Sequence, residues 1–163
     1  MGMSEAGLQV LFTRWLRKSG GLLLGSAGAG AFELKLVRCD GRGGKCADNG
    51  HCLTRLAASR VSEGQEDALT RAAGLRGSPL VHKISDSAVG YKPFDCFVMT
   101  NIPAFVVIGW RCAGLGRPRV YALPVDDWLD WRARMPFVRG REVVKRPGLR
   151  EKEAMAIGVA VTL

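Results

Sequence analysis

No apolar run near the start of this sequence is long enough to cross a membrane as a helix. The longest, residues 20–32, covers thirteen positions dominated by Gly, Ala and Ser, against the roughly 20 that a bilayer core requires. It follows a segment bearing Trp15 and Arg17 rather than a short basic leader, so neither a membrane anchor nor a secretory signal is expected. Internal repeats are absent, which argues against solenoids and propellers. Acidic residues are few, 15 against 24 Lys and Arg, leaving a formal net charge of +9 and a pI near 9.8. Cysteine is sparse and odd in number: Cys39, Cys46, Cys52, Cys96 and Cys112 form no paired framework. Free thiols in an intracellular, reducing compartment are therefore expected.

What is present fits one compact domain over residues 1–163. At 47% apolar and 24% charged, the chain is neither fibrous nor disordered. A chain of this length buries roughly 68–70% of its unfolded surface, enough for a core without disulfide or metal staples. The positive balance favours polyanions, because clustered Lys and Arg raise association rates with nucleic acid or anionic lipid.

Along residues 4–18, Leu8, Leu11, Phe12, Trp15 and Leu16 recur at three- and four-residue spacings. This predicts an amphipathic helix within residues 1–20, with Ser4 as N-cap and Gly20-Gly21 as terminator. Residues 31–37, Ala-Phe-Glu-Leu-Lys-Leu-Val, alternate with the period of a strand and put Glu33 and Lys35 on one face. Residues 38–52 are Gly- and Cys-rich and read as a long loop insertion. A helix is expected over 62–73, capped by Ser62 and stopped by Gly74, and strands over 80–84, 94–99, 104–110 and 119–123. The short Asn101-Ile102-Pro103 step predicts that 94–99 and 104–110 pair as an antiparallel hairpin. A helix begins near Asp126, a basic C-terminal extension covers 139–163, and 151–157 fits a last short helix. Helices and strands in mixed order indicate an α/β or α+β domain, a single mixed β-sheet flanked by helices.

Strand-borne Glu33 and Lys35 set a carboxylate beside an ammonium. The first can hold Mg²⁺, and the second can orient or activate water and stabilise developing phosphate charge. Asp95, after Pro93 and between apolar neighbours, is an unusual acid at a strand start; beside Glu33 it would complete a two-carboxylate Mg²⁺ site, and otherwise it accepts hydrogen bonds from the turn. His82 fits either a phosphate contact or a solvated strand face. Trp128 and Trp131, three apart, fit either base stacking or, as the preferred reading, the core side of a helix. The basic residues of 139–152 suit DNA backbone or solvent equally. Cys39, Cys46, His51 and Cys52 are Zn²⁺ ligand types, but their spacing is not that of a familiar finger and adjacent His51 and Cys52 do not easily reach one ion. The segment is read as a Cys-bearing insertion rather than a zinc site.

Five segments in order, Phe32-Glu33-Leu34-Lys35, Val61-Ser62-Glu63-Gly64-Gln65, Lys83-Ile84-Ser85-Asp86, Lys92-Pro93-Phe94-Asp95 and Ala104-Phe105-Val106-Val107-Ile108, resemble the small PD-(D/E)XK nucleases of phages and mobile elements. These are related to Holliday junction resolvases. The resemblance covers roughly residues 31–129 and implies a restriction-endonuclease-like core, with Glu33 and Asp95 as metal ligands, Lys35 as catalytic lysine and Gln65 as the supporting glutamine. Asp86 and Lys83 are secondary candidates, and Lys92, Arg38, Arg42 and Lys45 candidates for DNA contact. It further implies a Mg²⁺-dependent DNA endonuclease, with Mn²⁺ as substitute, acting as a homodimer on branched duplex in a bacterial or host cytoplasm.

This chain departs from the family pattern in three respects. Glu33 and Lys35 precede Asp95 by about sixty residues, whereas the acidic strand ordinarily comes directly before Glu-x-Lys, so the motif order is permuted. Gly64-Gln65 stands where relatives commonly carry His-Gln, and 39–52 replaces a shorter basic turn. The alternative reading is a catalytically inactive nucleic-acid-binding or assembly protein on the same scaffold.

Overall fold

A computed structural model describes residues 4–18, 30–39, 52–84, 95–112, 117–134 and 148–163, with the side chains of 16–18, 81–84 and 95–99 outside that description. Helix α1 (Glu5–Lys18) starts as its sequence predicts, Ser4 Oγ accepting from the Gly7 N–H at 3.1 Å. Strand β1 (Ala31–Arg38) is followed by short β2 (Leu56–Ala57), helix α2 (Glu63–Ala72), and strands β3 (Leu80–Ile84), β4 (Asp95–Met99), β5 (Ala104–Arg111) and β6 (Arg119–Pro124). Helix α3 (Val125–Ala133), strand β7 (Gly148–Leu149), helix α4 (Glu151–Ile157) and strand β8 (Val159–Val161) complete the order. The fold is mixed α and β, with a four-stranded sheet in the order β1-β5-β6-β8 flanked by helices.

Strand β5 is the backbone of that sheet. Its run Ala-Phe-Val-Val-Ile-Gly-Trp is apolar on both faces, as a strand covered on both sides must be. It pairs parallel with β1, from Ala31 opposite Ala104 to Arg38 opposite Arg111, and antiparallel with β6. Alternate residues then feed two cores. Leu36, Val107, Val120 and Val161 pack with Leu8 and Phe12 of α1 on one side. Val37, Val106, Ile108, Trp110, Tyr121 and Leu123 pack with Leu69, Trp128, Trp131 and Ala154 of the other helices on the opposite side. Gly109 lets α1 sit close, since a Cβ there would lie 3.0 Å from Leu8 Cδ2.

The expected hairpin between 94–99 and 104–110 does not form. Strand β4 pairs with β3, His82 opposite Phe97 and Ile84 opposite Asp95, in a separate two-stranded sheet, and β2 pairs with β7 in another. The single sheet of the sequence reading is thus one main sheet and two small ones among the described residues. The cause is local to 100–103. Asn101 adopts φ 55°, and the Ile102 N–H donates to the Ala72 carbonyl at 3.0 Å. The turn therefore docks on the end of α2, where Gly74 has φ 75°, and β5 enters the main sheet instead of folding back on β4. Strand β8 adds to β6 at the end of the main sheet, antiparallel.

The expectation of free thiols is overturned for Cys39 and Cys52, which are joined as a disulfide, their Cα atoms 6.5 Å apart. Extension of β1 accounts for half of this: the Cys39 N–H donates to the Arg111 carbonyl at 2.8 Å. Among the described residues no helix is long and apolar enough to cross a membrane. Trp128 and Trp131 lie in the core, their rings 5.0 Å apart, so the base-stacking alternative for them falls away.

Leu8 is wholly buried against the sheet. Leu8→Ala is expected to cost about 3 kcal/mol, the transfer and cavity terms together, seen as a lower urea midpoint with an unchanged slope.

Candidate active site

Because Phe32, Leu34 and Leu36 turn toward α1, the intervening Ala31, Glu33, Lys35 and Val37 turn toward α2. Two-residue alternation thus carries a carboxylate and an ammonium to the face that α2 covers. There Lys35 Nζ lies 2.7 Å from Glu33 Oε1, and the lysine is buried. Gln65, on the first turn of α2, joins both: its Nε2 donates to Glu33 Oε1 at 2.9 Å and its Oε1 accepts from Lys35 Nζ at 3.3 Å. The same Oε1 accepts from the Ser62 N–H at 2.9 Å, and Ser62 Oγ accepts from the Gln65 N–H at 3.3 Å, a capping box. The helix start therefore fixes the glutamine that fixes the ion pair.

Helix α2 is itself pinned from below. Glu66 accepts from Trp128 Nε1 at 2.7 Å and pairs with Arg132, tying α2 to α3. Arg60 pairs with Glu5, whose Oε1 also accepts from the Leu36 N–H at 3.3 Å. That N–H belongs to β1, which stands at the edge of the four-stranded sheet. A carboxylate on α1 thus occupies an edge donor that a further strand would otherwise take.

Of the residues the sequence singled out, Glu33, Lys35 and Gln65 are brought together. Asp95 opens β4, paired in backbone register with Ile84, and Lys83 lies on β3 opposite Cys96; their side chains are outside the described ones. Arg38 ends β1 and is exposed. Asp86, Lys92, Arg42, Lys45, Cys46 and His51 lie outside the described residues.

For Mg²⁺, the fitting donor is Glu33. Both of its contacts fall on Oε1, so Oε2 is uncommitted among the described residues, and the side chain is 23% exposed. A hard carboxylate oxygen on a partly exposed side chain suits an ion that keeps several waters and takes only one or two carboxylates from protein.

The sequence reading missed a second polar centre. Glu151, fully buried at the start of α4, pairs with Arg119 through both carboxylate oxygens, accepts from the Cys52 N–H at 2.5 Å on Oε2, and lies 3.4 Å from Tyr121 Oη. Glu151 holds the Arg119 guanidinium more firmly protonated than an ordinary arginine. Burial, then the neighbouring carboxylate, raises the Tyr121 pKa above its usual value. Arg119 Nη2 also donates to Cys112 Sγ at 3.4 Å. Only the first-turn position of Glu151 hinted at such a role; nothing local marks an acid for complete burial.

Comparison of the chain with protein-family models, with curated proteins and with solved structures found no match.

Tyr121 supplies a pH test. A phenol whose folded pKa is raised is protonated more in the native than in the unfolded state, so stability is expected to fall as pH rises through about 10, the unfolded value. Tyr121→Phe is expected to flatten that fall in alkaline denaturation curves. Glu151→Gln is expected to lose about 3 kcal/mol, because Arg119 is left without its charge partner, as read from chemical denaturation at neutral pH.

Proposed function

We propose that the protein is a Mg²⁺-dependent endonuclease that hydrolyses DNA phosphodiesters, with branched duplex as its substrate class. The observation that carries this reading is the contact set of Glu33, Lys35 and Gln65. Residues some thirty positions apart converge on one face in the chemistry that the PD-(D/E)XK resemblance requires. A surface Glu-x-Lys pair needs no glutamine and no burial, whereas here the lysine is only 7% exposed.

Glu33 would hold the ion through Oε2, and Asp95 is the second carboxylate of the proposal. The β3-β4 pair leaves from the end of α2, where Ile102 and Asn101 meet Ala72 and Gly74. Its five-residue strands extend about 17 Å, against about 15 Å for the ten-residue α2. The strands therefore have the length that a return of Asp95 to the level of Gln65 would need. When bound, Mg²⁺ supplies a Lewis acid for the phosphate oxygens and a lowered pKa for a coordinated water.

The chain's own groups do the rest. Lys35 presents an ammonium to charge developing on the phosphate, already desolvated and so costing little reorganisation. Gln65 keeps that ammonium and the Glu33 carboxylate at fixed separation, with its amide oriented by the helix cap. Excess positive charge grips the DNA backbone without reading sequence. Cutting two strands of a branched substrate symmetrically calls for a homodimer.

The test is cleavage of a labelled four-way junction, a linear duplex and a single strand, in Mg²⁺ or EDTA. Wild type is expected to cut only with Mg²⁺. Glu33→Ala and Lys35→Ala are expected to lose at least about 100-fold in rate while still binding the junction in gel shift. Gln65→Ala is expected to fall between them and wild type. Tight, salt-sensitive binding with no cutting of any substrate would replace the reading with that of an inactive nucleic-acid-binding scaffold.

A further inference from the structure

Parallel pairing of β1 with β5 ends at Arg38 opposite Arg111, so the next residue of each strand, Cys39 and Cys112, emerges side by side. The third sulfur comes from Cys52, placed there by its N–H bond to Glu151. The chain that follows is held by Trp110 Nε1, which donates to the Thr54 carbonyl at 3.2 Å. All three cysteines are 3% exposed, and their Sγ atoms lie within 4.8 Å of one another. A crosslink needs two sulfurs. The Cys39–Cys52 bond gives no reason for a third, from a strand end sixty positions away in sequence, to be buried against it.

We propose that Cys39, Cys52 and Cys112 form a zinc site in the reduced protein, three thiolates on one ion, with the disulfide as the alternative state of the same cluster. Zinc–sulfur bonds of about 2.3 Å in a tetrahedron set the sulfurs about 3.8 Å apart, so once their bond of about 2 Å is reduced the Cys39 and Cys52 sulfurs part by about 2 Å, while Cys112, within 4.8 Å of both, closes by no more than about 1 Å. Soft sulfur donors select zinc over the hard, oxygen-seeking Mg²⁺. Three thiolates and one Zn²⁺ leave a charge of −1, and Arg119, which also pairs with Glu151, presents a charged N–H donor to Cys112 Sγ at 3.4 Å. Among the described residues no fourth donor joins the three, which leaves one coordination position to water or another ligand. Entry into this state begins with two-electron reduction of the disulfide by a phosphine, which takes up the oxygen of one water as the phosphine oxide while two thiols form. Three thiols then release three protons to solvent as three Zn–S bonds form.

The inference is independent of the nuclease reading. Its test uses the full chain, reduced with a phosphine, freed of reductant without air, and loaded with Zn²⁺ or with Co²⁺ as a spectroscopic stand-in. Wild type and Cys96→Ser are expected to retain one zinc per chain through dialysis against a weak chelator. Their Co²⁺ forms are expected to show thiolate-to-metal charge transfer with tetrahedral ligand-field bands. Cys112→Ser keeps the disulfide when oxidised and so controls for folding. Unfolding as cooperatively as wild type in that state, it is expected to bind zinc at least 100-fold more weakly once reduced. Reduced wild type that retains no zinc, a Co²⁺ form without sulfur charge transfer, or a Cys112→Ser variant that binds zinc as tightly as wild type would each overturn the proposal.

Discussion

The parallel register between β1 and β5 is the constraint on which the rest of the structure depends. Eight consecutive residue pairs fix which β1 side chains turn toward α1 and which toward α2. A slip of one position would exchange Glu33 and Lys35 for Phe32, Leu34 and Leu36 on the face that α2 covers. It would also separate Cys39 from Cys112. The apolar β5 enforces the register, because Val106, Ile108 and Trp110 have a core to fill on one side and Val107 on the other. The polar cluster is thus placed by hydrophobic packing, and its own hydrogen bonds only refine it.

Around that register the helices divide the work. α1 covers one face through Leu8 and Phe12 and sends Glu5 to the β1 edge. α2 faces the polar pair with Gln65 while its next residue, Glu66, turns down to Trp128 and Arg132. Neighbouring side chains on one helical turn thereby serve the site and the scaffold. The Ser62 capping box couples them, since losing the first turn would release both.

Much of this was legible in the sequence where the cause was local. Ser62 announces the start of α2, Ser4 that of α1, and the alternation of 31–37 announces both the strand and the shared face of Glu33 and Lys35. That Gln65 would meet them rested on the resemblance, since no spacing relates residue 65 to 33. Strand partners were read less well. Asn101-Ile102-Pro103 has the chemistry of a turn, but a turn does not say whether the strands it joins will pair. Docking of Ile102 on Ala72 decided the matter through a tertiary contact. The sulfur cluster was hidden for the same reason: Cys39 and Cys52 share a segment, while Cys112 arrives through strand register. The second carboxylate proposed for the metal, on Asp95, belongs to a hairpin whose position no local pattern specifies.

Glu151 has a consequence for how the molecule breathes. One carboxylate at the start of a seven-residue helix satisfies Arg119 and the amide of Cys52 and approaches Tyr121. These partners lie on two separate stretches of chain, β6 and the segment that begins at Cys52. Local opening of the C-terminal segment would withdraw the carboxylate from all of them at once, and such openings are cooperative. Withdrawal of the carboxylate would release the amide that holds Cys52 beside the other two sulfurs. The setting of Cys52 and the seating of α4 are in this sense a single equilibrium.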